Sequence, residues 1–412
     1  MSKNEILVGL DVGSSKVACA IAKKGSSELP EIIGLSRVPC HEGMNRGVVK
    51  NMEAASLAVA QAIEQAEEKA DERVSSVIVS IKGDHIESVN KSGEINISRP
   101  DTEITDEDIR RVVDATKSIH IPTDREIIQT VLKDFSVDGQ KEITNPCGME
   151  GTHLAVNVHL VIGLTSKINN LIKCISNAGA ETSKMISSVL AAGEVSISKD
   201  EKQIGCVLID MGAQTTDVAV YFNGHIQGIE EIPLGGDDIT KDVAHGLGSS
   251  LSVARDVKEK YGSAVTSLIE PKEEVTYLNV DGRTQKTVMR KTLTDYIGPR
   301  VDEILKAVND KISSIKQNKK MLSSGIIITG GGSQLRGMKE ACEAVIKLPA
   351  RIGIPQERFT GTIPGITDPS FTAAIGLVVY RDMFDSENLT SKKFGKSDMG
   401  KKVIDVLKKY FE

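Results

Sequence analysis

Residues 203–227 read QIGCVLIDMGAQTTDVAVYFNGHIQ, and the pattern of these residues is the strongest indication of the fold. Cys206 to Ile209 is an uninterrupted apolar run, and a short turn at residues 212–214 follows it. Apolar residues then return at every second position from Val218 to Phe222. A short apolar run, a turn and an alternating run predict two strands joined as a β-hairpin, with Asp210 just before the bend.

The turn of this hairpin carries groups that suit phosphate. Gly212 and Ala213 leave backbone N–H groups unobstructed, and Thr215 and Thr216 add hydroxyl groups. Asp210 places a carboxylate beside them. These groups predict a turn that holds phosphate oxygens and a hydrated Mg²⁺.

The same design occurs at the N-terminus, where residues 6–22 read ILVGLDVGSSKVACAIA. The matching positions are Asp11, Gly13, Ser14 and Ser15 in the first hairpin and Asp210, Gly212, Ala213 and Gln214 in the second. Lys16 adds a positive charge to the first turn. Neither turn is a Walker-type loop, because each leads into a strand and contains no Gly-Lys-Ser/Thr. One such turn is usually structural, but two predict similar domains that face each other across one polyphosphate.

Two further glycine turns are candidate ligand sites. Strand residues 326–329 lead into Gly330, Gly331, Gly332 and Ser333, and a helix is predicted from about Met338. Gly235 and Gly236 open another helix, whose N-terminus favours an anion. Arg255 and Lys258 lie three residues apart on the next helix, facing either a nucleotide or solvent. A plain turn with a helix cap remains the alternative for Gly235 and Gly236.

Composition restricts the class of protein. The chain has 412 residues and a formal net charge of −6, which argues against nucleic acid as the main partner. Its six cysteines form no C-x-x-C pair, so a reducing cytoplasm is expected. No apolar run is long enough to cross a membrane, and the N-terminus has no signal-like region.

A module with a different composition is predicted at 84–163. Its last strand alternates strictly, with His153, Asn157 and His159 on one face. The two histidines are too far apart for an ordinary metal pair, so we interpret this face as solvated rather than metal-binding.

The last twelve residues, 401–412, read KKVIDVLKKYFE and predict a short amphipathic helix. Its apolar stripe consists of Val403, Ile404, Val406, Leu407, Tyr410 and Phe411, and its basic residues are Lys401, Lys402, Lys408 and Lys409. This pattern favours an anionic lipid surface, and docking on the protein itself or on a partner is the alternative. One short helix binds lipid weakly, so stable attachment implies self-association and avidity.

Together the motifs GLDVGSSKVACAIA, VLIDMGAQTTDVAVY and IIITGGGSQLRGM resemble those of the actin/chaperone-ATPase/sugar-kinase superfamily. The inserted module and the tail narrow the resemblance to the FtsA family of bacterial cell-division proteins. This resemblance implies an α/β, actin-like fold with two lobes and duplicated core domains. It divides the chain into a first core domain (1–83 and 164–198), an inserted α+β subdomain (84–163), a second core domain (199–385, its upper part about 235–317), a linker (386–400) and the amphipathic helix (401–412).

The resemblance also implies function. ATP would bind between the lobes, with Mg²⁺ held through water by Asp11 and Asp210. Phosphate contacts would come from Ser14, Ser15, Lys16, Thr215 and Thr216, while Gly235, Gly236 and Lys258 line the second lobe and Gly331, Gly332 and Ser333 face the ribose and adenine. Filaments of the protein on the cytoplasmic face of the inner membrane, at the division site, would tether the tubulin-like FtsZ and help recruit other division proteins.

Three departures from the superfamily pattern bear on activity. Gln214 replaces a glycine of the second phosphate motif, and Arg255 stands where a ribose-binding glutamate is common. No Glu or Gln lies near Ser188 to position an attacking water. We therefore expect ATP binding with at most slow hydrolysis. A small-molecule kinase and a soluble chaperone-like or pilus-type assembly ATPase of the same fold are the competing hypotheses.

Overall fold

The computed structural model describes residues 5–25, 29–99, 103–117, 121–270, 272–315 and 321–380. The described residues divide into two compact units, which are Ser88–Gly163 and the remainder up to Tyr380. The predicted linker and tail, residues 386–412, lie outside the described residues. Among the described helices, none is both long enough and apolar enough to cross a membrane.

The N-terminal part forms strands and one helix. They are β1 (Glu5–Val12), β2 (Lys16–Lys24), β3 (Glu31–Pro39), β4 (Met44–Asn45), β5 (Val48–Val49), α1 (Met52–Ala70) and β6 (Ser76–Ile81). Helix α1 is rich in alanine, which favours helix, and its first turn is capped by Asn51, whose Oδ1 accepts from the Ala54 N–H at 3.1 Å. Its buried alanines pack closely against the strands beneath.

The inserted unit consists of β7 (Glu87–Asn96), α2 (Asp106–Lys117), β8 (Arg125–Val137), β9 (Gln140–Ile143) and β10 (His153–Leu164). Its strands form one sheet in the order β7-β10-β8-β9. The interpretation of a solvated face on β10 is right for Asn157, which is exposed, but wrong for His159, which is 1% exposed. His159 Nδ1 lies 3.0 Å from Asn90 Oδ1 on the neighbouring β7, and both faces of β10 are covered from Val158 onwards.

The chain continues through α3 (Thr165–Asn177), β11 (Glu181–Ser187), α4 (Ser188–Ser196) and α5 (Lys199–Ile204). The next elements are β12 (Cys206–Met211), β13 (Thr216–Phe222), β14 (His225–Ile232), α6 (Gly236–Leu247), α7 (Leu251–Tyr261), β15 (Glu274–Leu278), β16 (Gln285–Met289) and α8 (Arg290–Ser314). The last are β17 (Ile326–Thr329), α9 (Met338–Ile346), β18 (Ala350–Ile352) and α10 (Thr372–Val379).

Two five-stranded sheets organise the larger unit, and they share one topology. Their orders are β11-β6-β1-β2-β3 and β18-β17-β12-β13-β14. In each sheet an antiparallel hairpin, β1–β2 or β12–β13, pairs with a parallel strand beside its first member. Even the registers agree, because Asp11 pairs with Ala18 and Asp210 pairs with Asp217, each partner seven residues later. The predicted duplicated α/β core is confirmed.

Helices α4 and α10 connect the two sheets. Helix α10 packs on β1, β2 and β6, helix α4 packs on β12 and β13, and the two helices pack against each other. Every residue of both helices is buried, and both sequences consist mainly of small and apolar residues. A Cβ on Gly376 would collide with the Ala191 carbonyl, so glycine is required for this close contact. The two hairpin turns are thereby held in one compact unit.

Candidate functional site

The first hairpin turn places Asp11 at the end of β1 with little exposure. The Gly13 N–H donates to the Lys16 carbonyl at 2.9 Å and closes the turn. Asp11 is 6% exposed, and its Oδ1 accepts from Ser80 Oγ at 2.6 Å and from Lys82 Nζ at 2.8 Å. Burial alone would raise the pKa of Asp11, but the charge and hydrogen bond of Lys82 outweigh it and lower the pKa. Asp11 is therefore a buried carboxylate.

Lys82 is a largely buried cation that pairs with Asp11, and our sequence analysis missed it. It directly follows β6, the parallel neighbour of β1, which carries its amine to Asp11. Burial lowers the pKa of Lys82, but the charges of Asp11 and Asp210 and the hydrogen bond to Asp11 raise it by more, so the amine stays protonated. A lysine next to the end of a buried strand, here VIVSI followed by Lys82, is the signal that could have found it.

The second turn repeats the first in detail. The Gly212 N–H donates to the Thr215 carbonyl at 2.9 Å, the same bond over the same spacing as in the first turn. Asp210 is 9% exposed, and Ser188 Oγ at the start of α4 donates to its Oδ2 at 3.4 Å. Burial raises the pKa of Asp210, and Lys82 opposes that rise. A cation beside Asp210 would favour its ionised form.

A second pair of acids lies behind the site. Asp217 and Glu231 are register partners on β13 and β14. Burial and the negative charge of Glu231 raise the pKa of Asp217 well above its usual range, so Asp217 keeps its proton and the pair shares one hydrogen bond. The Gly83 N–H donates to Glu231 Oε2 at 2.6 Å. The segment that carries Lys82 is thereby fastened to the second sheet.

The third glycine turn lies against the second. Gly330 has φ +81°, and a Cβ there would collide with Asp210 Oδ1. The turn continues as a short 3-10 helix, Gly331–Gln334, with Ser333 Oγ donating to the Gly330 carbonyl at 2.7 Å. In contrast, a Cβ on Gly331 would meet no atom within 4 Å. Open space therefore lies beside Gly331, on the turn predicted to face the nucleoside.

The start of α6 packs directly on the second turn. The Gly236 N–H donates to the Gly212 carbonyl at 3.0 Å, and the Asp237 N–H donates to the Ala213 carbonyl at 2.6 Å. Lys258 Nζ on α7 donates to the Gly236 carbonyl at 2.9 Å, and burial lowers its pKa. The structure therefore brings the predicted residues Gly235, Gly236 and Lys258 next to Gly212 and Ala213.

Other predicted residues have partners within the protein. Lys16 Nζ donates to the Ser370 carbonyl at 2.7 Å and lies 5.7 Å from the centroid of the Phe371 ring. Thr216 is fully buried and donates to the Leu234 carbonyl at 2.9 Å. Ser14 Oγ accepts from the Gly47 N–H at 3.4 Å. These hydroxyl and amine groups reach a ligand only if they exchange or share those partners.

The membrane-binding residues predicted in the tail lie outside the described residues. These are Lys401, Lys402, Val403, Ile404, Val406, Leu407, Lys408, Lys409, Tyr410 and Phe411.

Duplicated sheets, each with an aspartate at the same place in a tight hairpin, define a protein of the actin-like class. Solved structures of this class share its fold. The PilM-PilN type IV pilus biogenesis complex gives a TM-score of 0.60 at 17% identity, covering 90% of this chain and 97% of the solved one. MreB5 of Spiroplasma citri bound to ADP gives 0.54 at 14% identity, covering 94% and 99%.

The chain belongs to the FtsA family of cell division proteins. The family model described as Cell division protein FtsA matches residues 207–376, and the model of the SHS2 domain inserted in FtsA matches residues 83–162. Cell division protein FtsA of Neisseria meningitidis serogroup B is 36% identical over 369 residues, covering 90% of this chain and 88% of the relative. That of Borreliella burgdorferi is 34% identical over 412 residues, covering 100% and 99%. The resemblance stated from the motifs is confirmed.

Proposed function

We propose that this protein binds Mg·ATP between its two sheets, polymerises on the cytoplasmic face of the inner membrane and tethers the FtsZ ring there. It would then help to recruit later division proteins. The observation that carries this proposal is the convergence of the Asp11 and Asp210 turns around Lys82 in a member of the FtsA family.

The donor set fits the nucleotide and its metal. Mg²⁺ is commonly bound by one or two carboxylates, substrate phosphates and several waters, and Asp11 and Asp210 supply two buried carboxyl groups. Gly13 and Gly212 use their own N–H groups to close the turns, so the phosphates would be held by other groups of residues 13–16 and 212–216. The open side of Gly331 leaves room for a ligand. The fold neighbour MreB5 is described as bound to ADP, which supports the same kind of ligand here.

The aspartates, the two turns and Lys82 have different roles in binding Mg·ATP. Asp11 and Asp210 orient the waters of the metal, and the turns at residues 13–16 and 212–216 hold the phosphates. Lys82 lowers the pKa of Asp11 and opposes the rise in the pKa of Asp210, and it offsets their charge beside the polyphosphate. When bound, Mg·ATP supplies a polyanion that both turns contact at the same time. Because it contacts both, it favours the closed arrangement of the two sheets.

Hydrolysis is expected to be slow. The start of α4 faces Asp210, and the side chain that reaches it is the hydroxyl of Ser188. A hydroxyl is a weaker base than a carboxylate, so it activates an attacking water poorly. ATP would therefore act chiefly as a bound effector.

Attachment to the membrane rests on the sequence of residues 401–412. Six apolar residues on one stripe, flanked by four lysines, fit an anionic lipid surface. A single tail would bind reversibly, whereas a filament presents many tails and binds by avidity. Polymerisation and membrane attachment thus support each other.

Co-sedimentation with anionic liposomes tests the proposal. The full chain is compared with a truncation after Asp385, each with and without Mg·ATP, and FtsZ is then added. The proposal predicts that only the full chain pellets with lipid, that Mg·ATP increases the pelleted fraction, and that FtsZ pellets with it. Absence of lipid binding by the full chain would favour a soluble assembly ATPase. Phosphoryl transfer to a small molecule at ordinary enzyme rates would favour a kinase.

A further inference from the structure

A chain of polar contacts crosses from the first sheet to the second above the two hairpin turns. The Arg46 N–H, between β4 and β5, donates to Gln214 Oε1 at 2.9 Å. Gln214 Nε2 donates to Asp237 Oδ2 at 3.4 Å, and Arg255 NH2 donates to the other oxygen, Oδ1, at 3.2 Å. Arg255 NH1 lies 3.1 Å from His41 Nε2, which returns the chain of contacts to the first sheet's side.

We infer that His41, Arg46, Gln214, Asp237 and Arg255 form a clasp that closes the cleft between the two sheets and limits the rate of nucleotide release. This inference rests on the proposed ATP site and adds a regulatory part to it. Two contacts of the clasp cross the cleft, one at Arg46 and one at His41, and both lead to Asp237.

The segment held by the clasp covers the phosphate turns. The Gly47 N–H donates to Ser14 Oγ at 3.4 Å. A Cβ on Gly47 would collide with the Lys82 carbonyl, and one on Gly83 would lie 2.9 Å from the Arg46 carbonyl. Residues 46 and 47 therefore lie directly on the end of the segment that carries Lys82. A phosphate held between Ser14 and Gln214 leaves readily only when this segment moves.

Charge distribution explains why the clasp holds together. Asp237 is largely covered, with 14% of its side chain exposed, and it faces both the Gln214 amide and the Arg255 guanidinium. Arg255 donates to a neutral imidazole, because burial and then the charge of Arg255 lower the pKa of His41. Arg46 has φ +46°, an unfavourable backbone conformation for a non-glycine residue that its surroundings impose.

The clasp is adjustable rather than permanent. Both cross-cleft contacts are partly solvent-exposed, and exposed polar pairs contribute only modestly. Such contacts slow opening without preventing it. A ligand that contacts Ser14, Lys82 or Gln214 can therefore shift the equilibrium between the open and the closed clasp.

The test is the release of N-methylanthraniloyl-ADP from the full chain with Mg²⁺, followed by fluorescence after a chase with unlabelled ADP. The variants are Arg255→Met, His41→Phe and the double variant. Arg300→Met is the matched control, because it removes an arginine pair to Asp242 between α6 and α8, away from the clasp. We expect release to accelerate about fivefold to tenfold in each clasp variant, with little further effect in the double variant. Release at the unaltered rate in Arg255→Met, or equal acceleration in Arg300→Met, would overturn the inference.

A second measurement needs no nucleotide. Hydrogen exchange at the Arg46 amide reports the contact with Gln214 directly. We expect faster exchange in Gln214→Ala and also in Arg255→Met, which acts through Asp237, and no change in Arg300→Met. Arg46 exchange that is insensitive to Arg255→Met refutes the clasp. If the unaltered protein binds no labelled ADP, the proposed function is wrong. Hydrogen exchange at the Arg46 amide then tests the clasp contacts separately.

Discussion

At the scale of single residues, the Lys82–Asp11 ion pair is the most sensitive point of the site. Its side chains are 15% and 9% exposed. Lys82→Met leaves Asp11 buried without its cation, and we expect a loss of about 3–5 kcal/mol in the free energy of unfolding. Urea denaturation measures this loss. Lys24→Met is the control, because it breaks an exposed pair with Glu5 and should cost less than ~1 kcal/mol. Equal losses in the two variants would contradict a structural role for Lys82.

His159 gives the inserted unit a dependence on pH. Burial, and to a lesser extent the charge of Lys133, lowers its pKa to about 4, whereas an unfolded histidine titrates near 6.5. The unfolded state therefore binds more protons between these values, so stability is complete above pH 6.5 and falls as the pH approaches 4. The loss amounts to about 3 kcal/mol at most.

The matched variant for this prediction is His159→Gln, which keeps a polar side chain near Asn90 but has no group that titrates in this range. Denaturation of both proteins at several pH values between 4 and 7 measures the effect. We expect the unaltered protein to lose stability relative to its value at pH 7 more steeply than His159→Gln. Parallel pH curves would show that His159 is not the group responsible.

At the scale of elements, neighbouring residues of the third glycine turn have different roles, one in stability and the other in ligand binding. Gly330 has a positive φ and no room for a Cβ beside Asp210, whereas Gly331 faces open space. We expect Gly330→Ala to lower the free energy of unfolding by about 2 kcal/mol or more. Gly331→Ala should leave stability nearly unchanged and instead weaken nucleotide binding in a calorimetric titration. Equal stability of the two variants would be evidence against this assignment.

Sequence analysis correctly predicted the elements whose sequence patterns lie within a short segment of the chain. The hairpin 206–222, the turn at 235–236 and the glycine turn at 330–333 are each encoded within about 25 consecutive residues, where periodicity and glycine placement are informative. Sequence analysis did not find Lys82, because Lys82 and Asp11 are 71 residues apart in the chain. The parallel pairing of β1 with β6 brings them together. The His41–Arg255 contact spans 214 residues, and no local pattern predicts it. His159 was assigned to a solvated face because alternation within one strand does not show what covers it.

At the scale of the whole molecule, the tail should make lipid binding cooperative. Leu407→Glu places a charge in the middle of the apolar stripe, so we expect it to release the protein from anionic liposomes even with Mg·ATP. Asp405→Glu is the control, because it changes a residue outside the stripe and keeps its charge. Co-sedimentation over a range of protein concentrations measures both variants, and binding by the unaltered chain should rise more steeply than one-site binding allows. Undiminished sedimentation of Leu407→Glu would exclude the tail as the lipid anchor.

The equal registers of the two hairpins carry a consequence for orientation. The two hairpins have the same spacing, from Asp11 to Ala18 and from Asp210 to Asp217. A ligand between them therefore meets two nearly equivalent backbone frameworks, one on each side. A nucleotide has no such symmetry, so identical frames alone would not determine which way round it lies. The polarity must come from features at which the copies differ: Ser14 and Ser15 against Ala213 and Gln214, Lys82 beside the first turn, and the glycine turn 330–333 beside the second. Exchanging the two dipeptides would therefore test how much of the ligand's orientation these four residues determine.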